Sequence, residues 1–157
     1  MALGKIDFEH FLANVDPEHY DFVINLHEML LNHSKAAFDE KKTGYLGSYK
    51  YNKTKKALIN LLIEHGVLGV RIYGENLETS DLQELTEDMT AQLIKAPVCQ
   101  QLVHGKCSPK CRGYEFNIGE DFFQKCRYGC YKFTVTNENA AHIKELIEQE
   151  IQRRDAI

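Results

Sequence analysis

Cys107, Cys111, Cys126 and Cys130 form two Cys-x3-Cys pairs with fourteen residues between them. Thiolates are soft ligands, and four brought to one point suit a tetrahedral zinc ion; the same residues could instead cycle between dithiol and disulfide. Cys99 and His104, just upstream, are additional candidate ligands. A closed four-thiolate shell leaves no open coordination position for substrate, which favours a structural over a catalytic metal. It also leaves an excess of about two negative charges, costly to hold partly buried without cations nearby. The segment supplies them: Cys99 to Phe133 holds Lys106, Lys110, Arg112, Lys125, Arg127 and Lys132 against Glu115, Glu120 and Asp121, in a chain of net charge −4. Such cations are also expected to lower thiol pKa values, which would serve redox chemistry as well.

A β-hairpin must bring the two pairs together. Tyr114 to Asn117 and Phe122 to Lys125 read as its strands, with Ile118 to Asp121 as the turn. Cys111 then comes within a residue or two of facing Cys126, and Pro109 and Gly129 supply bends inside the spacers. Around this segment the chain alternates helix and strand signals. Asp7 caps a short helix carrying Phe8, Phe11 and Leu12, and Asp16-Pro17 opens a longer one with Phe22, Leu26, Met29, Leu30 and His33 at helical spacing. A short helical turn is expected at Lys35 to Glu40. Strands follow at Tyr49 to Tyr51, Ala57 to Ile63 and Val67 to Tyr73, an antiparallel meander. A helix from Thr79 or Ser80, boxed by Gln83 and carrying Leu82, Leu85, Met89 and Leu93, runs to Pro97. Tyr131 to Val135 is a further strand. Thr136-Asn137 caps a last helix with Ile143, Leu146, Ile147 and Ile151 inward and Arg153 and Arg154 at its negative pole. The expected fold is α+β: one domain over residues 1–157, an antiparallel sheet with helices packed against it, and a cysteine-bearing hairpin and terminal helix closing the C-terminal part.

A second feature lies on the strands. Tyr49, Tyr51, Arg71 and Tyr73, with Tyr128 and Tyr131, could line a small-molecule pocket on the sheet, with Arg71 fixing an anionic group. The plainer account is half-buried strand aromatics under helices. The histidines form no i, i+4 pair, and no nucleotide-binding glycine loop or nucleophile elbow is present. Net acidity argues against nucleic acid as partner. The opening MALGKIDFEHF carries no signal-peptide apolar run, and no stretch is apolar enough to span a membrane. The cytoplasm is therefore expected, where clustered cysteines mean metal or redox chemistry more often than disulfides.

The order of helices, Tyr49-x-Tyr51, the Ala57 to Ile63 strand and Val67-Leu-Gly-Val-Arg-Ile-Tyr73 resemble, over roughly the first 95 residues, small uncharacterised bacterial cytoplasmic proteins of the YdhG-like kind. That resemblance implies an α+β fold. Some members of the group are described as frataxin-like iron-delivery proteins, but no acidic residues here match such a site position by position, and the cysteine segment departs from the group. The leading reading is a non-catalytic binding module stapled by zinc, acting on a small molecule or protein. The competing readings are a thiol redox or sensing protein, and a small-molecule-binding module with incidental cysteines.

Overall fold

The structure, a computed structural model, describes residues 4–107 and 111–157. It is α+β: a six-stranded antiparallel sheet, a separate two-stranded hairpin, and helices. In chain order these are β1 (Lys5–Ile6), α1 (Phe8–Leu12), α2 (Tyr20–Leu31), β2 (Ser34–Lys41), β3 (Gly44–Tyr51), β4 (Ala57–Glu64), β5 (Val67–Ile72), α3 (Glu87–Lys95), α4 (Gln100–His104), β6 (Tyr114–Ile118), β7 (Asp121–Lys125), β8 (Lys132–Thr134) and α5 (Ala140–Ala156). The large sheet runs β1-β2-β3-β4-β5-β8, and β6-β7 is the hairpin. Among the described residues, no helix is long and apolar enough to cross a membrane.

The local signals act as their chemistry dictates. Asp7 accepts from the His10 amide at 2.8 Å and Asp16 from the Glu18 amide at 3.1 Å, so both early helical segments begin on a carboxylate cap. His65 and Gly66 both have positive φ and join β4 to β5 by a two-residue turn matched to strand twist. The last helix begins on a reciprocal pair: the Thr136 amide donates to Asn139 Oδ1 and the Asn139 amide to Thr136 Oγ1.

Two expectations are corrected. Lys35 to Glu40 is not a helical turn but the body of β2, because pairing with β3 sets Ala36 and Phe38 on the buried face. The single helix expected from Thr79 to Pro97 is two elements. A 3-10 turn at Thr79–Leu82 is boxed by Glu78 and Asp81, not Ser80 and Gln83, and α3 then starts on Thr86, whose hydroxyl accepts from Met89.

Register defines two sheet faces. Phe38, Gly47, Leu61, Val70 and Phe133 lie in one row across five strands, and Ala36, Tyr49, Ile59 and Ile72 in the next. This is the core face. α1 and α2 cover it through Phe8, Phe11 and His27, which pack on Phe38 and Tyr49, while α5 adds Ile143, Leu146, Ile147 and Ile151. The opposite face carries a polar row, Ser48, Asn60, Arg71 and Lys132.

His27 is held in the core-side aromatic cluster, its ring stacked 3.7 Å from Phe8 and its Nδ1 2.7 Å from the Tyr49 hydroxyl. Burial lowers its pKa below the ordinary value, against a smaller upward pull from Glu28. The unfolded chain therefore binds more protons here than the folded one, and stability present above about pH 6.5 is lost as pH falls through the lowered folded value. Urea midpoints are expected to fall between pH 7 and pH 5, above the carboxylate range, and His27→Phe to flatten that dependence; an unchanged slope in the variant would assign the effect elsewhere.

Candidate functional site

The cysteines gather at the open end of the β6-β7 hairpin. Tyr114 pairs with Lys125, so Cys111 lies three residues before one strand and Cys126 directly after the other. The chain before the hairpin is tied to the same place: the Cys99 amide donates to Gln124 O at 2.9 Å and the Cys126 amide to Pro97 O at 2.7 Å. Lys125, almost fully buried, donates its ammonium to Ile94 O and Ala96 O at 2.7 and 2.8 Å, closing the carbonyl end of α3. Close approach explains Gly113, where a Cβ would fall 2.2 Å from Lys125 O and 2.8 Å from Cys99 Sγ.

Three of the four expected ligands are neighbours. Burial raises the Cys111 pKa, and the Cys107 thiol raises it further by charge and hydrogen bond; Arg127 opposes this, and Cys126 adds a smaller upward pull. Cys130 stands on the turn that Cys126 begins, its amide donating to Cys126 O at 2.8 Å, but its side chain is wholly buried. Burial pushes its pKa up, only partly offset by Lys125. Cys99 is occupied otherwise: its Sγ accepts from the Leu102 amide as the cap of α4, and His104 sits exposed at that helix's far end. Among the described residues, no three His, Cys, Asp or Glu side chains stand in metal-binding geometry. Pro109 and Lys110, expected to bend the first spacer and to add charge, lie outside the described residues.

The expected effect of the basic island on the thiols is overturned for Cys111 and Cys130. Desolvation outweighs the cations, and both thiols are harder, not easier, to ionise. Much of the island is engaged elsewhere, Arg112 with Glu115 at 3.2 Å and Lys132 with Glu64 at 2.7 Å.

The expected pocket of Tyr49, Tyr51, Arg71 and Tyr73 does not form, because the four divide between the two faces. Tyr49 and Tyr51 are on the core face. Arg71 and Tyr73 are on the other, where Asn60 Oδ1 accepts from Arg71 Nη1 at 3.0 Å and from the Tyr73 hydroxyl at 2.8 Å. Arg71 also donates to Tyr128 O at 2.7 Å and so holds the cysteine turn rather than a ligand.

A cavity of about 620 Å³ does open at the end of the sheet, between the β3-β4 turn, the β5 exit and the last turn of α5. Tyr51 is the one member of the expected set on its wall; Lys53, Lys56, Glu75, Arg127 and Arg154 are the charged residues there. Two guanidiniums are held rigidly. Arg127 pairs with Glu75 and lies 5.8, 5.8 and 6.0 Å from the ring centroids of Tyr73, Tyr114 and Tyr128. Arg154 donates Nε to Glu150 at 2.6 Å and Nη2 to Ala57 O and Tyr73 O at 3.1 and 2.8 Å. Glu150 in turn accepts from the amide and side chain of Asn76 at 2.8 and 3.0 Å. Sequence reasoning placed Arg154 as a surface charge complementing the helix dipole; its spacing of four and three from Glu150 and Ile151 on the buried stripe was the missed signal.

Comparison with known protein families, curated proteins and solved structures gives no match for the chain.

Glu150 is fully buried and Arg154 nearly so. Removing one partner leaves an uncompensated charge, so Glu150→Ala is expected to cost about 3–5 kcal/mol. Urea denaturation measures this, and a loss under about 1 kcal/mol, the range of exposed pairs, would show the pair to be solvated.

Proposed function

We infer that the protein is a non-catalytic binding module of a reducing compartment, the cytoplasm, in which Cys107, Cys111, Cys126 and Cys130 staple the hairpin through a soft metal, zinc. The observation that carries this reading is the base of the hairpin, which has Cys111 just before one strand and Cys126 just after the other, with Cys107 near enough to act on Cys111 and Cys130 on the turn that Cys126 begins. Four sulfur donors match zinc better than magnesium or calcium, which take oxygen. The fit is partial: among the described residues the thiols do not yet stand in metal-binding geometry, and Cys130 must in addition turn out of the core to complete the set. Arg127 beside Cys111 supplies one of the cations a thiolate shell requires. The raised pKa of Cys111 suits this use better than nucleophilic chemistry, since a metal displaces the proton whereas a free thiol near neutral pH stays protonated.

One observation favours a second reading. Cys107 is exposed and lies near enough to Cys111 to raise its pKa, a pair that an added oxidant would join as a disulfide.

Elemental mass spectrometry on protein purified without a histidine tag or chelator tests both. About one zinc per chain is expected, lost in Cys111→Ser and Cys126→Ser together with a marked drop in melting temperature, because metal binding is coupled to folding. Metal-free protein whose mass without reductant lacks the two thiol hydrogens would replace the staple by the disulfide. Metal-free protein with every thiol reduced and titrating would remove both.

A further inference from the structure

The cavity at the end of the sheet has the size of a small-molecule site, and its wall joins one buried aromatic ring to fixed hydrogen-bond donors. The charge balance decides what it suits. Three of its four cations already have carboxylate partners: Arg127 has Glu75, Arg154 has Glu150, and Lys53 has Asp155 at 3.8 Å. Lys56 is the one cation of the wall with no ion-pair partner among the described residues; Ile157, at the main-chain end, is on the wall as well. A monoanion pairs with that single ammonium, whereas a second negative charge would meet no unpaired cation there.

The donors are also the right ones. Arg154 commits Nε and Nη2 to Glu150 and two carbonyls, and its Nη1 takes part in none of these bonds. Arg127 spends Nη2 on Glu75, leaving Nη1 and Nε without protein partners among the described residues. Both guanidiniums are pre-set by their other contacts, so little side-chain freedom is lost when a ligand binds. Tyr51 lies beneath Arg154, its ring centroid 5.6 Å from the guanidinium carbon, and its hydroxyl is turned onto Asp155. Tyr51 is 2 % exposed, so only the rim of its ring reaches the cavity, with its polar end already satisfied.

We propose that this cavity binds a small organic carboxylate: the carboxylate is held by Lys56 and by the open amino groups of Arg154 and Arg127, and its apolar body lies against Tyr51. This names the ligand class for the binding module inferred above; Arg127 serves both sites, but Lys56 and Arg154 have no part in the zinc reading, so a variant at Lys56 lets the two readings fail separately.

Benzoate is the probe, with benzamide as its neutral counterpart and phenyl phosphate as the dianion, measured by calorimetry on the full chain. Benzoate is expected to bind saturably at one site and more tightly than either control. Lys56→Ala, an exposed change that leaves the buried network intact, is expected to weaken it about tenfold, the loss of one ionic contact. Arg127→Gln is expected to weaken it further, and circular dichroism checks that this variant stays folded. No saturable binding, equal binding of benzamide, or benzoate affinity unchanged in Lys56→Ala would overturn the proposal. Zinc content is expected to be the same in Lys56→Ala and the wild type, so zinc without benzoate binding sinks this inference alone.

Discussion

The buried pair of Glu150 and Arg154 fixes how the last helix meets the sheet. A carboxylate with no solvent exposure requires its full set of donors, and here Arg154 and both nitrogens of Asn76 supply them. Arg154 in turn reaches the carbonyls of Ala57 at the start of β4 and Tyr73 just beyond β5. One ionic network therefore joins α5, the start of β4 and the chain leaving β5. Arg153 extends it, forking onto Asp81 and donating to Asn76 O. Apolar burial along α5 sets the helix on the sheet without fixing its register; the ionic contacts, being directional, select one position. The cavity is the space this position leaves between the helix end and the β3-β4 turn.

A similar division governs the hairpin. Tyr114 and Phe116 pack at a tilt against Tyr131, with ring centroids at 5.0 and 6.1 Å, which attaches the β6-β7 unit to the core cluster. Its orientation is set by polar contacts at its base: the buried Lys125 ammonium on the α3 carbonyls, and the Cys99 and Cys126 amides bonded across the two segments. Lys125 thus serves packing, although in the sequence it looked like one more cation available to the thiols. A buried lysine needs acceptors, and the carbonyl end of a helix provides them.

This division also explains what could be read from the chain and what could not. The meander was legible because β4 and β5 carry long apolar runs broken by His65-Gly66, a turn whose geometry follows from residue type. The hairpin was legible from its alternating aromatics. β2 was not: Lys35-Ala36-Ala37-Phe38 has good helical propensity, and only pairing with β3 makes it a strand. The split of the helix expected from Thr79 was hidden because Asp81 is claimed by Arg153, a residue 72 positions away. Of the site, the placement of Cys111 and Cys126 at the two ends of the hairpin base followed from its register. The division of Tyr49 and Tyr51 from Arg71 and Tyr73 did not, since alternation within a strand leaves open how the faces of two strands correspond. Lys56 gave no signal in the sequence and Arg154 read only as a charge complementing the helix dipole; the folded chain alone sets them on one cavity wall.

Arg127 is where the thiols and the cavity meet. It follows Cys126 in the chain, its charge acts on the Cys111 thiol, and its guanidinium lines the cavity over three tyrosine rings. The pairing of Arg127 with Glu75 and its place over the three rings tie the cysteine turn to the chain leaving β5. A side chain held by several contacts at once loses little freedom to any one of them, so the same residue can position the turn and line the cavity.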